Sequence, residues 1–362
     1  MDKVLLIAAG AALMAGAAYA QEEPVVNVYN WSDYIAEDTI AKFEAATGIH
    51  VNYDVFDSNE ILEAKLLTGN SGYDIVVPSA SFVERQVQAG LFLPLDKSQL
   101  ANLVNMDATI MAAVESADPG NQYGVVYMWG TTGFGYNIGK IAERMPDAPV
   151  GSWAMIFDPE IAAKFADCGI ALLDAPSEVI PAALAYLGRN PNSEEADDLA
   201  AAEELINSIR PFIRYFHSSQ YISDLANGDI CLAHGYSGDI LQSRDRAAEA
   251  GQGVEIAYTI PSEGAVVWFD MMTIPADAPH PGNALKWIDF MMQPQIAADI
   301  SNYVFYANGN AASFDLVDPE VTGDPGIYPS DEVKAKLFGL RSYSLQFDRL
   351  LTRAWTRIMT GQ

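Results

Sequence analysis

The sequence predicts an α/β fold of two lobes, each a sheet flanked by helices, with a ligand cleft between the lobes. Short apolar strands alternate with amphipathic helices along the chain, a pattern typical of sheets covered by helices. Polar and aromatic residues follow four of the predicted strands, and ligands of open α/β sheets bind beyond the carboxyl ends of strands. About 340 residues remain after an N-terminal export signal, which is enough for two domains.

The export signal is predicted over residues 1–20. Lys3 supplies a positive charge, residues 4–17 are apolar, and residues 18–20 form a small-x-small cleavage site. The apolar run is shorter than the ~20 residues that a membrane-spanning helix needs, which disfavours a transmembrane anchor. We therefore expect export through the inner membrane to the periplasm, cleavage after Ala20 and a mature chain that starts at Gln21.

The first part of the chain alternates three predicted strands with three predicted helices, which favours a parallel sheet. The strands are Val25–Tyr29, Val51–Val55 and Asp74–Val77, and the helices are Asp38–Thr47, Glu60–Thr68 and Ser81–Ala89. A second series is predicted to start after Gly130. Its strands are Ile170–Leu173 and Ile230–His234, and its helices are Ile180–Leu187 and Ala196–Ser208. A later strand, Ala265–Ile274, and a helix, Asn283–Met292, follow this series.

The charge balance is strongly acidic, with 48 Asp plus Glu against 20 Lys plus Arg and a formal net charge of −28. A nucleic-acid partner would need a basic face, so this composition disfavours one. It also disfavours anionic ligands, although an acidic surface serves solubility as well as the attraction of cations. The two cysteines, Cys168 and Cys231, are compatible with a disulfide in an oxidising compartment or with two buried thiols.

Enzyme signatures are absent from the sequence. It contains no H-E-x-x-H, C-x-x-C or P-loop motif, and its four histidines lack metal-ligand spacing. The segment Gly235–Gly238 resembles a nucleophile elbow, but Asp239 occupies the place of the second required glycine. We predict a protein that is not an enzyme and uses no metal or other cofactor. An exported hydrolase that uses Ser237 and His234 is the alternative.

The residues near the predicted strand ends combine acids with aromatics. The acids are Asp33, Glu178, Asp239 and Asp270, and the aromatics are Trp31, Tyr34, Tyr236, Trp268 and Tyr306. Aromatic faces attract cations, and carboxylates form charge-assisted hydrogen bonds with ammonium groups. A linear diamine suits both features. An α-amino acid would want an arginine for its carboxylate, and none lies among these segments, whereas a sugar stays open as an alternative.

Long collinear segments of the chain resemble the putrescine-binding periplasmic proteins of polyamine ABC transporters, in the spermidine/putrescine-binding protein family. The resemblance covers essentially the whole mature chain. The segments that carry it are 30–35 (NWSDYI), 77–82 (VPSASF), 127–133 (YMWGTTG), 174–176 (DAP), 213–221 (IRYFHSSQY), 225–231 (LANGDIC), 304–308 (VFYAN) and 352–356 (TRAWT).

The resemblance implies a periplasmic binding protein clamshell that closes on a polyamine and delivers it to a membrane permease. One lobe would hold residues 21–130 and about 260–308, and the other about 131–259 and 309–362. It also implies a monomer without a nucleic-acid partner, and a disulfide between Cys168 and Cys231.

The same resemblance assigns roles to individual side chains around the ligand. The aromatic slot would comprise Trp31, Tyr34 and Tyr306, with Tyr236 and Trp268 beside them. One ammonium group would meet Ser32, Asp33 and Ser79. The other acidic contacts would come from Glu178, Asp239 and Asp270.

Two positions depart from the pattern of the putrescine binders. Tyr236 replaces a residue that is usually Trp, and Trp268 replaces one that is often Phe, whereas Trp there is similar to the spermidine binders. Putrescine is the predicted ligand, and spermidine or cadaverine is the alternative. A role in sensing would begin with the same binding step, so the sequence does not separate it from transport.

Overall fold

The computed structural model describes residues 22–361. The predicted signal peptide and its cleavage site lie outside these residues. Within the described range, no helix combines the length and apolar character needed to cross a membrane.

The strands of the described residues join into one hydrogen-bonded sheet. They are β1 (Val25–Trp31), β2 (His50–Phe56), β3 (Ile75–Val76), β4 (Gly124–Asn137), β5 (Ile170–Leu172), β6 (Ile213–Phe216), β7 (Leu232–Tyr236), β8 (Ile256–Thr259), β9 (Val266–Thr273), β10 (Ala307–Asn308) and β11 (Phe338–Gly339). The central order of the sheet is β2-β1-β3-β9-β4-β7-β5-β6. Strands β8 and β10 pair with β4, and β11 pairs with β9. Every strand predicted from the sequence is present, with ends that differ by a few residues.

Helices cover the sheet along the whole described chain. They are α1 (Thr39–Thr47), α2 (Asn59–Leu67), α3 (Ala80–Gln88), α4 (Ala108–Ala113), α5 (Ile138–Arg144), α6 (Ala154–Phe157), α7 (Pro159–Ala162), α8 (Pro176–Tyr186), α9 (Ala196–Ile209), α10 (Gln220–Ala226), α11 (Ser237–Ala250), α12 (Pro281–Met291), α13 (Pro294–Val304), α14 (Pro319–Thr322), α15 (Asp331–Lys334) and α16 (Leu345–Thr360). Their ends follow local chemistry: Ser58 caps α2 by accepting from the Ile61 amide, and Gly48 ends α1 at a φ of 72°.

The sheet divides into two parallel groups joined by two antiparallel strands. Strands β1, β2 and β3 are mutually parallel, which confirms the parallel sheet predicted for the first series. Strands β5, β6 and β7 are also mutually parallel. Strand β4 pairs antiparallel with β9 as far as Thr132, and from Thr132 to Tyr136 it pairs antiparallel with β7. This long strand passes from one group to the other, so the fold is the predicted two-lobed clamshell.

The central strand β4 accommodates its neighbours because it contains glycines where other segments approach closely. A Cβ atom at Gly133 would lie 2.1 Å from the backbone oxygen of Thr259 in β8. A Cβ at Gly135 would lie 2.5 Å from the Ile240 side chain of α11. The sequence reasoning missed strand β4 itself. It predicted β9 but not its antiparallel direction, because periodicity identifies a strand without giving the direction of its partner.

The lobe boundaries stay a proposal. We propose residues 21–130 with about 260–308 for the first lobe, and about 131–259 with 309–362 for the second. Helix α16 packs on α8 and α9 of the second lobe, which supports its place there. The 3₁₀ helix Ala311–Leu316 still contacts α13 of the first lobe, although the proposed boundary assigns it to the second lobe.

The disulfide that the family resemblance implied is formed between Cys168 and Cys231. Cys168 lies just before β5 and Cys231 just before β7, and both are buried. The bond therefore links the segments that directly precede two adjacent parallel strands, β5 and β7, in the second lobe.

Candidate functional site

A cavity lies in the cleft between the lobes. Its walls combine aromatic rings, carboxylates and hydroxyls. The lining residues are Trp31, Ser32, Tyr34, Phe56, Asp57, Ser79, Glu178, Ser218, Ser219, Tyr236, Asp239, Trp268, Asp270 and Tyr306. The structure thus brings together all of the ligand-binding residues predicted from the sequence except Asp33.

At one side of the cavity, two hydroxyl groups hold the carboxylate of Asp270. Ser79 donates to Oδ1 at 2.6 Å and Tyr34 donates to Oδ2 at 3.0 Å. Asn59 fixes Ser79 in turn, because its Nδ2 donates to the serine Oγ at 2.9 Å and its Oδ1 accepts from the serine amide. Burial raises the pKa of Asp270 to about 7, although both hydroxyl donors act to lower it.

Two tyrosines hold the carboxylate of Asp239 in the same way. Tyr306 donates to Oδ1 at 2.7 Å, and Tyr221 donates to Oδ2 at 2.7 Å. Asp239 lies in the first turn of α11, directly after β7, so the end of a strand delivers it to the cavity. Burial raises the pKa of Asp239 to about 7 against the lowering effect of both phenols.

The third acid, Glu178, has fewer hydrogen bonds to its carboxylate than Asp239 or Asp270 have. It lies in the first turn of α8, and its Oε2 atom is buried with no hydrogen-bond partner in residues 22–361. Burial is the main cause that raises the pKa of Glu178 to about 8, and the nearby acids Glu60 and Asp270 raise it further. A positive group at this place would restore the charged form.

The aromatic side chains form a continuous edge-to-face series around the cavity. Ring centroids are separated by 5.1 Å for Tyr34 and Tyr306, 5.3 Å for Tyr306 and Trp268, and 6.0 Å for Trp268 and Tyr236. Trp31 extends the series to Tyr236 at 5.9 Å. Such a wall offers both apolar surface for methylene groups and π faces for a cation.

The glycines of the segment that resembles a nucleophile elbow have a packing role. A Cβ at Gly238 would lie 2.4 Å from the Tyr306 ring, and a Cβ at Gly235 would lie 2.6 Å from the Tyr221 ring. Both glycines therefore admit a tyrosine that holds Asp239. They explain the elbow-like pattern without a nucleophile.

Ser237 and His234 do not form the pair that a hydrolase would need. The Ser237 Oγ accepts from the Thr131 amide at 3.4 Å. Both ring nitrogens of His234 are buried and lack a hydrogen-bond partner within residues 22–361, and burial lowers the pKa of this ring to about 3. The imidazole thus has no contact through which it could activate the serine.

Asp33 lies at the edge of the site, and its carboxylate accepts from Arg246 at 2.6 Å instead of lining the cavity. It has a left-handed backbone with a φ of 53°, which turns the chain after β1. Its direct contact with a ligand stays a prediction. The contact with Arg246 joins the turn after β1 to helix α11 across the cleft.

Four lining residues were missed by the sequence reasoning: Phe56, Asp57, Ser218 and Ser219. Phe56 and Asp57 lie at the end of β2, and the two serines closely follow β6. The strand-end rule that located the other residues could have found them if it had been applied to β2 and β6.

The family model described as bacterial extracellular solute-binding protein matches residues 38–329. The chain belongs to this family. The match includes residues of both lobes.

Similar proteins include the putrescine-binding periplasmic protein SpuD of Pseudomonas aeruginosa, 51% identical over 99% of this chain and 98% of the relative. The putrescine-binding periplasmic protein PotF of Escherichia coli is 51% identical over 95% of this chain and 93% of its own length. A solved structure of a putative spermidine/putrescine ABC transporter protein from Listeria monocytogenes superposes with a TM-score of 0.84 and 30% identity. That comparison covers 94% of this chain and 100% of the Listeria chain, which confirms the fold.

The raised pKa of Asp270 predicts how the stability of the empty protein depends on pH. An Asp in the unfolded chain has a pKa near ~3.9, so between that value and about 7 the folded state binds more protons at this carboxyl. This carboxyl therefore lowers the free energy of unfolding as the pH rises through that interval. We expect Asp270→Asn to raise the free energy of unfolding by on the order of 2 kcal/mol at about pH 8, and by much less at about pH 4.5.

Urea unfolding of the ligand-free variants at both pH values measures this effect. Asp245→Asn serves as the control, because Asp245 is an exposed residue of α11 away from the cavity. A variant at position 270 that loses more stability at the higher pH than at the lower would contradict the prediction.

Proposed function

We propose that the protein captures a small polyamine, with putrescine as the preferred ligand, and delivers it to the membrane permease of an ABC transporter. The observation that carries the proposal is the composition of the cavity wall. It contains four acids and six aromatic rings, and no Lys, Arg or His lies among its lining residues. Such a wall favours a ligand that is positively charged at separate points and apolar between them.

A diamine matches this wall group by group. Each ammonium is a donor with no acceptor, so it needs oxygen atoms around it, and Asp270, Asp239 and Glu178 supply them. The methylene chain between the ammonium groups packs on the rings of Tyr34, Tyr306 and the tryptophans. Without the carboxylates, the transfer of two positive charges out of water would be prohibitive.

Other ligand classes fit this wall less well. An anion or an amino acid would place its own carboxylate against a cavity that has four acids and no basic lining residue. A neutral sugar would leave the charge of the buried acids uncompensated. The hydrolase alternative has no geometric support, because Ser237 and His234 are not hydrogen-bonded to each other.

The relatives support putrescine over other polyamines, since both relatives at 51% identity carry putrescine in their names. A protein named for spermidine and putrescine from Salmonella typhimurium is more distant, at 32% identity over 91% of this chain. Trp268 and Tyr236, the two positions that depart from the pattern of the putrescine binders, form one edge-to-face pair in the cavity wall. The larger ring at 268 and the smaller ring at 236 therefore change the shape of the same part of the aromatic slot. Spermidine and cadaverine are the alternatives that this pair could favour.

We propose that the mature protein acts in the periplasm as a monomer, after removal of residues 1–20, and without nucleic acid. A role as a binding component that does not catalyse a reaction is supported by the names of the relatives, which are those of binding proteins. A sensing role would use the same cavity and the same ligand.

The ligand assignment is tested by calorimetric titration of the mature protein after its ligand has been removed by unfolding and refolding. The panel is putrescine, cadaverine, spermidine, agmatine, γ-aminobutyrate and a neutral sugar. We expect one-to-one binding that is tightest for putrescine and absent for the sugar. In Asp239→Asn the affinity should fall about 5- to 150-fold, as for the loss of a charged hydrogen bond of about 1–3 kcal/mol.

The control for this titration is Asp245→Asn, which should bind like the unaltered protein. Folded protein that binds the sugar but no polyamine would overturn the proposal. Equal affinity of Asp239→Asn and the unaltered protein would remove Asp239 from the site.

The contacts across the cleft indicate a closed state. Arg246 binds Asp33 at 2.6 Å, and Arg85 of α3 binds Asp348 of α16 at 2.8 Å. We propose that the empty protein also populates an open state in which these contacts are broken. A ligand shifts this equilibrium only through its better contacts in the closed form, and the split of the acids between the lobes supplies that difference.

Small-angle scattering with and without putrescine measures this closure. We expect a smaller radius of gyration with the ligand than without it. Identical profiles for the empty and liganded protein would contradict ligand-driven closure.

A further inference from the structure

Tyr221 is a buried residue outside the cavity wall that contacts two parts of the site at once. It lies in α10, its side chain is fully buried, and it is not among the lining residues. Its hydroxyl donates to Asp239 Oδ2 at 2.7 Å and accepts from the backbone amide of Tyr236 at 3.1 Å. One phenol thereby connects an acid of the cavity to the backbone of an aromatic wall residue.

We propose that Tyr221 is a positioning residue that fixes the Asp239 carboxylate and the Tyr236 backbone in the arrangement that the ligand meets. The proposal rests on the function proposed above, because it assigns Asp239 to an ammonium group. It adds a residue that no ligand atom touches.

The local sequence is built around this contact. Position 235 carries no side chain, and a Cβ there would lie 2.6 Å from the Tyr221 ring. Gly238 likewise leaves room for Tyr306, because a Cβ there would lie 2.4 Å from the Tyr306 ring. Two glycines thus admit two phenols, and each phenol donates to one oxygen of the same carboxylate.

The two phenols differ in their relation to the ligand. Tyr306 lines the cavity, so its substitution would change the wall as well as the hydrogen bond. Tyr221 lies behind the wall, so Tyr221→Phe removes only the hydroxyl and keeps the ring that packs on Gly235. Because the hydroxyl is buried, water cannot readily replace its hydrogen bond to Asp239 Oδ2.

Removal of the Tyr221 hydroxyl should change the pKa of Asp239 in a direction that can be predicted. A hydrogen bond to a carboxylate favours the charged form, so its removal favours protonation of Asp239. The other groups that act electrostatically on this carboxyl stay in place in the variant. They are Asp33, Arg246, Tyr34, Tyr236 and Tyr306.

The test compares Tyr221→Phe with Tyr215→Phe across a range of pH. Tyr215 is a matched control, because its hydroxyl donates to Asp224 Oδ2 at 2.7 Å and neither residue lines the cavity. We expect the dissociation constant for putrescine to rise about tenfold in Tyr221→Phe at about pH 6.5, and by a smaller factor at about pH 8.5. The control should bind like the unaltered protein at both pH values.

A second measurement does not depend on the identity of the ligand. Carboxyl-carbon NMR of the ligand-free protein follows the titration of Asp239, whose signal is assigned by its loss in Asp239→Asn. We expect the titration midpoint to move upward by about one pH unit in Tyr221→Phe and to stay unchanged in Tyr215→Phe.

The outcomes separate this inference from the proposed function. If the unaltered protein fails to bind putrescine, the proposed function fails, and the NMR titration still decides what Tyr221 does to Asp239. An unchanged midpoint in Tyr221→Phe would overturn the inference. An affinity loss of the same size at every pH would also overturn it, because loss of packing alone would produce that result.

Discussion

Buried negative charge without a positive partner is the constraint on which the site depends. Asp239, Asp270 and Glu178 are buried together in a cavity whose lining includes no basic side chain. Removal of a carboxylate from water is unfavourable unless hydrogen bonds or an opposite charge compensate it. Hydroxyl groups compensate two of these acids in part, and the Glu178 Oε2 has no partner within residues 22–361. The empty closed site therefore favours protonated acids, and a dication supplies the charge that it lacks.

The fold places acidic side chains from separate strands and helices around the same cavity. Asp270 comes from the central strand β9, whereas Glu178 and Asp239 come from the first turns of helices that follow β5 and β7. Strand β4 joins the two parallel groups, so the carboxyl ends of both groups face the same cleft. On the proposed function, the charge of the ligand couples the two lobes, because acids from both lobes line the same cavity.

Sequence patterns predicted a two-lobed fold, six of the strands and most of the cavity wall, because strand periodicity and the strand-end rule are local. They missed β4, and they did not predict the antiparallel direction of β9 or the contact of Asp33 with Arg246, since the direction and the contact depend on residues that are distant in the sequence. Tyr221 was noted only as part of a similar segment. Its hydrogen bond to Asp239, 18 residues away, is a contact that composition and periodicity do not encode. The sequence shows the glycines at 235 and 238, but it does not show that each is required because a tyrosine ring packs against it.

The most direct test of the account counts the protons exchanged when the ligand binds. Putrescine is titrated calorimetrically into the stripped protein at about pH 7 in two buffers of different ionisation enthalpy. Because burial raises the pKa of Asp239 and Asp270 to about 7 and that of Glu178 to about 8, the empty site holds protons that a dication displaces. We predict an apparent enthalpy that differs between the buffers in the direction of proton release. Equal enthalpies in both buffers would show that the acids are already charged in the empty protein, and would contradict the account.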